Sequence, residues 1–590
     1  MFVGYAGSPT GIPTEMKGLA VGRIVTVGLI VGLAFISVLG AGGTDVATEP
    51  KLFIGDKNAP DTMPVIPPRE IRSEIKRPIV KLANQPVAKI NECMYTPYEA
   101  AILALRDLEA VTLLNNPDLE PHYIRYLSLH NFPCEERLKL KQTVDFVVNS
   151  LNRRRRTIVR TAAIPDVTNP VVVRVNLLDY SIEPSDWDKL AEQGSGRVPL
   201  PDPYFHLLIT KQVDVFTEQN VEGKDAHGRL VTTVKRVKTG SKMGSVSAAA
   251  PWLATDGGAN IGSLIKLTNS ANPILRADWF VTYAMWAPAY YTLLGLDNKE
   301  TSFAKLVALD LSRAKKNVIA AVSDSKIVTL NNRLLSRYPT VNAYTAGYYW
   351  ETHDTDTGID AEDYLDNLVN FDRPSFTAKE IIATLPNTLQ AYALTDNKGG
   401  LLNVAAPNIA IHGDIFPTKL QDKQVYAGRS CVICHDQGMH KINDLVRSMA
   451  RDKIALMISD PTLDRSKSRS ISEKIKDAFS PDLTGVIVHD QAIYTEAIRA
   501  CNGLTPKVNA AQFEDFVWRY VDQPVTLQMA AYEVGMAPKE LEAYVRQGIN
   551  IDYAMTGWLQ NPPINVSRTH WEKTAHAKLM LHLLASQAKK

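Results

Sequence analysis

Residues 389–402 read LQAYALTDNKGGLL, and how this stretch folds decides what surrounds the chemistry that follows it. Leu389 to Leu394 has strand character, Leu401-Leu402 resumes it, and Asp396, Asn397, Gly399 and Gly400 between them supply the backbone conformations of a tight turn. The reading is strand–turn–strand. Downstream, Ala405–Ser430 has no helical period and is punctuated by Pro407, Gly413, Pro417 and Gly428. A helix is expected only at Ile442–Met457, where apolar residues return at helical spacing. An antiparallel hairpin therefore leads into residues 430–440, and an all-helical domain is not expected there.

Those residues begin Ser430-Cys431-Val432-Ile433-Cys434-His435. The pattern Cys-x-x-Cys-His has a physical reason. Two thiols three residues apart on a nascent helical turn each reach one vinyl group of a haem, and the next residue offers its imidazole to the iron. With five Cys and twelve His in 590 residues, chance placement is on the order of one in a thousand. A thioredoxin-like pair has no role for the histidine, and a zinc site needs a second close pair of ligands that the sequence lacks. Cys431, Cys434 and His435 are thus the expected cofactor-binding residues, with His435 the metal ligand and one covalent haem c the cofactor.

The second axial ligand has no such signature. His440 and Met439 follow His435 too closely to cross to the other haem face. Met449, Met457, His489, Met529 and Met536 are far enough away, and an open site is an equal alternative. The choice matters, because Met/His ligation favours electron transfer whereas an open pocket permits chemistry on a bound molecule. Asp354, Asp356, Asp360, Glu362 and Asp363 around Gly358 fail the calcium-loop pattern and read as a solvated acidic loop. Cys93 and Cys134 are either a disulfide or two buried thiols, and Cys501 is the odd one out.

The N-terminus carries an export signal. Lys17 and Arg23 precede an uncharged run, Ile24 to Thr44, which closes on Gly40, Ala41, Gly42 and Gly43. It is either a cleaved signal peptide or an uncleaved anchor at 24–44 that keeps the start cytoplasmic. The expected location is periplasmic or exported, with N-terminal membrane association if the run is retained. The overall balance, 65 basic against 63 acidic side chains, gives no footprint for nucleic acid. Arg153–Arg156 reads as a solvated face or helix end.

The expected fold class is α+β, divided as follows. Residues 1–44 are signal or anchor, and 45–78 a Pro-rich linker. A mixed N-terminal α+β domain spans 79–245. It opens on a capping box, Thr96-Pro97-Tyr98-Glu99, with a helix through Leu114. A second helix follows at Glu135–Leu151, a strand at Val171–Leu178, and a hairpin arm at Val231–Val237. A Gly-Ser-Gly and proline loop lies at 194–203, and a softer break at 240–250. The c-type haem domain spans 246–480 with its antiparallel hairpin elements. The region 481–590 is helical, with runs at Asn509–Tyr520, Leu527–Val534, Pro538–Val545 and Thr569–Leu584.

Several long stretches resemble the large secreted cytochrome-c-domain proteins of planctomycetes and some proteobacteria: NPILRADWFVTYA (272–284), LNNRLLSRY (330–338), TLPNTLQAYALTDNKGG (384–400) and SCVICHDQG (430–438). VNSLNRRRRTIVR and RVNLLDYSIEPSDW also fit, so the likeness covers most of 140–590. The chain departs from the pattern at SDSKIVT, where a glycine-rich turn is expected. The resemblance implies one haem and export, and no named activity. A hairpin followed by Cys-x-x-Cys-His is also similar in arrangement to the β-sheet mono-haem cytochromes. Electron transfer with a redox partner protein is the leading expectation. The alternatives are a periplasmic haem oxidoreductase, peroxidase-like or acting on small nitrogen compounds, and a module binding a gas or a partner.

Overall fold

The computed structural model describes residues 93–193, 262–316, 333–354, 376–440, 483–502, 510–548 and 551–580, apart from 115, 117, 343–344, 408–409 and 414–416, together with the backbone of strands at 206–224, 230–249 and 318–322. The export segment, the linker, the loop at 194–203, residues 355–363 and the helix expected at 442–457 lie outside the described residues. Among the described residues no helix is long and apolar enough to cross a membrane.

The capping box forms as read. Helix α1 (Pro97–Leu114) starts with Glu99 N–H donating to Thr96 Oγ1 at 3.1 Å, while Thr96 N–H donates to Glu99 Oε2 at 2.7 Å. Next come β1 (Ile124–Ser128), α2 (Cys134–Ser150), β2 (Ala162–Ile164), β3 (Val172–Asn176), α3 (Leu177–Tyr180) and α4 (Pro184–Gln193). Cys93 and Cys134 are joined in a disulfide, which ties the segment before α1 to the first residue of α2.

A long ribbon, β4 (His206–Lys224) paired with β5 (Leu230–Ala249), follows. It contains the expected arm at 231–237, and where a break was expected at 240–250 the chain is still strand through Ala249. After α5 (Gly262–Thr268), β6 (Ile274–Arg276) returns to lie parallel beside β1, giving a sheet of order β2-β3-β1-β6. Its two-residue alternation separates two cores. Ile124, Tyr126 and Val172 pack under α1, while Leu127, Val173 and Val175 face the main core.

Helices α6 (Ala277–Ala284), α7 (Ala289–Leu293) and α8 (Glu300–Leu306) lead into a second sheet. It is an antiparallel meander of β7 (Val318–Val322), β8 (Arg333–Asn342), β9 (Thr345–Asp354), β10 (Ala378–Thr384), β11 (Gln390–Asp396) and β12 (Leu401–Leu402), neighbours in chain order. The hairpin read at 389–402 is its edge, with Leu394 opposite Leu402. In the turn, Asp396 Oδ1 accepts from the Lys398 and Gly400 N–H groups at 2.8 Å each. β12 is short, so two upper N–H groups of β11 are capped from α7 instead. Tyr392 N–H donates to the Tyr290 hydroxyl and Leu394 N–H to the Tyr291 hydroxyl, each at 3.1 Å.

One face of this sheet packs on α7 and α8. There Lys379 Nζ sits 2.9 Å from Glu300 and 3.1 Å from Glu351. The other face carries Arg333, Arg337, Trp350, Glu380, Ile382, Tyr392 and Leu394 by register. It meets α9 (Arg429–Cys434) and α10 (Leu483–Asn502), whose buried Asp490 accepts from Arg337 Nε and Nη2 at 2.8 Å and from Trp350 Nε1 at 2.7 Å. Then come α11 (Ala510–Val521), α12 (Leu527–Val534) and α13 (Pro538–Gln547), and helical turns from Arg568 to Ala575.

The α+β class holds. The expected borders at 245 and 480 need correction. One continuous core gathers Leu127, Trp279, Tyr392, Val432, Tyr494 and Phe516 from both sides of each border. The cause is β6, which closes the first sheet from beyond residue 245. Among the described residues, smaller separate clusters lie under α1, around Trp350 and Met439, and within Val525–Leu579.

Two further readings hold only in part: the arginine run follows the end of α2 as expected, with Arg154 exposed, but single residues of it and of the acidic group turn inward. Of the arginine run, Arg153 is not solvated. Its guanidinium donates to Asp186 Oδ2 at 2.6 Å and to the Leu293 carbonyl at 2.7 Å, and Arg155 pairs with Asp179. Asp354, read as part of a solvated acidic loop, ends β9 fully buried against Arg333 at 2.6 Å.

Candidate haem-attachment site

The turn that carries Cys431, Cys434 and His435 is set by the residues before it. Gly428 has φ +79°, and a Cβ there would lie 2.5 Å from the Met285 carbonyl oxygen and 2.8 Å from the Tyr290 ring. Only glycine lets the chain pass so close and then enter α9. Arg429 is buried with its guanidinium 3.9 Å from the Trp286 ring centre and 4.8 Å from that of Tyr426. This pair of rings stabilises a cation with little water, although burial still pushes its pKa down to about 10. Ser430 Oγ accepts from the Tyr426 N–H at 2.9 Å.

These anchors turn Cys431, Cys434 and His435 toward one cleft of about 460 Å³, counting its open mouth. The other walls are Glu380, Ile382, Tyr392 and Leu394 of β10 and β11, and Ile411, His412 and Val425 of the loop before α9. The two sulfurs are free thiols, not joined to each other. Burial raises both, Cys431 to about 12, so they stay protonated. His412 Nδ1 lies 3.7 Å from Cys434 Sγ.

His435 lies 3.1 Å through Nδ1 from the Gly438 carbonyl oxygen. An oxygen acceptor there requires the proton on Nδ1, which leaves Nε2 with a lone pair for a metal. Burial, reinforced by the neighbouring His440 charge, pushes its pKa down to about 3, so the ring is neutral and keeps the lone pair on Nε2. The Tyr392 ring stacks beside it at 6.1 Å.

The residues therefore fit a covalently held haem: two thiols, one imidazole with its far nitrogen set by a backbone carbonyl, and an apolar slot. Cys431 and Cys434 would hold the ring edge and His435 the iron. Bound there, the group would supply one-electron chemistry.

The expected second ligands do not gather at the cleft. Met439 packs in a cluster with Leu335, Tyr348, Trp350 and Ile487. His489 is exposed. Met529 and Met536 belong to the separate C-terminal core. Met449 and Met457 lie outside the described residues. His440 stays beside His435, ring centres 4.7 Å apart, as its spacing requires. The sequence reading missed Glu380, Tyr392 and His412. Glu380 was legible only as a charge inside an apolar strand, and His412, 22 residues before Cys434, has no spacing signature.

No family model matches the chain, and neither a curated protein nor a solved structure matches it.

Proposed function

We propose that this chain is an exported mono-haem c-type cytochrome that passes electrons to a redox partner protein. The observation that carries the reading is the geometry of Cys431, Cys434 and His435. Two half-buried thiols outside any disulfide and a neutral imidazole, its Nδ1 committed to the Gly438 carbonyl, face one apolar slot. Export is supported by the uncharged run at 24–44 behind Lys17 and Arg23 and by the Cys93–Cys134 disulfide, a bond kept in oxidising compartments. Cys431 and Cys434 remain thiols beside it, as residues reserved for another bond would.

The test is an in-gel haem stain after denaturation, on protein made in a host with haem-attachment machinery. The wild-type band should stain, and Cys431→Ala with Cys434→Ala should lose the stain completely. An unstained wild-type band would overturn the reading.

A further inference from the structure

On the haem reading above, we infer that the cleft also binds a small protic molecule, with the Glu380 carboxylate as the group that takes its proton. Two cross-strand pairs face the cleft, Ile382 with Tyr392 and Glu380 with Leu394. The first pair lies at the level of His435, because Tyr392 stacks on that ring. The second is one two-residue step along the strands, about 7 Å, so Glu380 lines the same cleft one step beyond the level of Tyr392. Cys431 and Cys434 line that cleft with it.

The carboxylate is built in place. Arg333 Nη1 holds Glu380 Oε2 at 3.2 Å, and Arg333 is itself fixed at 2.6 Å by the fully buried Asp354. Thr352 Oγ1 accepts the Glu380 N–H at 2.8 Å and donates to Asp354 Oδ2 at 2.9 Å. The Glu380 side chain retains 17% exposure, and Ile382, Leu394, Ile411 and Val425 line the same cleft. A molecule H–X entering the slot would give its proton to the carboxylate while its conjugate anion stays in the cleft. The H–X bond breaks, the O–H bond forms, and nothing is oxidised or reduced.

Hydrogen cyanide and carbon monoxide separate this role from mere packing, since only the first must lose a proton on binding. On the haem-loaded full chain, stopped-flow spectra would follow cyanide with the ferric protein and carbon monoxide with the ferrous protein. Glu380→Gln should slow cyanide association on the order of 10²-fold and leave the carbon monoxide rate unchanged. Glu380→Asp, which keeps a carboxylate, should recover part of the cyanide rate; if the Gln variant fails to fold, the Asp variant against wild type carries the comparison.

Equal slowing of both ligands, or of neither, would overturn the inference. So would a wild-type protein that binds neither, because a side chain such as His412 would then close the slot. Absence of covalent haem in the wild type is a different result, read by the gel stain, and would sink the haem reading itself.

Discussion

At the scale of single residues the site depends on backbone as much as on ligands. Gly428 carries no chemistry, yet its positive φ and the 2.5 Å approach of the Met285 carbonyl place α9 against the sheet. Gly428→Ala should cost about 1–3 kcal/mol in backbone strain alone, and the collision adds to that. The expected outcome is a lower melting temperature and a weaker haem stain, since the cysteine pair shifts relative to His435. A variant with unchanged melting and full staining would show that the close passage is not needed. Cys431, Cys434 and His435 were readable as a group from spacing because Cys-x-x-Cys-His is a local pattern. Glu380 was not, because its position opposite the sulfurs arises from strands roughly fifty residues earlier folding back.

At the scale of elements, local signals were reliable where local chemistry decides the outcome. The Thr96–Glu99 box, the Asp396–Gly400 turn and the glycine at the end of α12, Gly535 with φ +69°, all appear as their residue types require. β1 was missed because Arg125 interrupts its apolar run. That arginine is fully buried; its Nη1 donates to the His122 and Ile124 carbonyls at 2.9 Å each and its Nη2 lies 3.9 Å from Asp188, an arrangement made only after folding. The disulfide is an element-scale device too. It closes a loop of 41 residues in sequence separation, which corresponds to about 4 kcal/mol of unfolded-chain entropy. Cys93→Ala with Cys134→Ala should lower the urea midpoint accordingly, while the haem stain survives. A midpoint unchanged by the double replacement would remove the bond from the stability of this region.

At the scale of the whole molecule, burial decides how the fold responds to acid. His353 is buried between Glu351, 3.6 Å away, and the Phe376 ring, 4.9 Å away. Burial pushes its pKa down to about 4, against the pull of Glu351. His130 is pushed down to about 3, again by burial, with the charges of Arg276 and Arg137 adding to it. The folded state keeps both neutral where the unfolded chain takes up protons below about pH 6.5. Their contribution is therefore fully present above that pH and is lost as pH falls toward the folded values. Asp354, which burial holds up at about 6, works in the opposite sense below pH 6, so a single-site difference is the cleaner measurement. Denaturant titrations of wild type and His353→Gln should show the acid-induced loss smaller in the variant by about 2 kcal/mol at pH 5. Parallel curves would mean that His353 is protonated in the folded protein.

The sequence alone determined the α+β class, the helices at 97–114 and 134–150, the Thr96–Glu99 cap, the hairpin at 389–402 and the grouping of Cys431, Cys434 and His435. Each is encoded by neighbours within a few positions, through turn chemistry, capping, periodicity or ligand spacing. The tertiary structure decided the rest. β6 joins β1, which precedes it by more than a hundred residues (Tyr126 opposite Ile274), so one core runs across borders that composition suggested. A buried arginine holds Glu380 across from two cysteines, and a loop without period carries His412 to the same slot. Those arrangements come from which strand pairs with which, and pairing over such separations is set by the packing of whole faces, which no short stretch of sequence records.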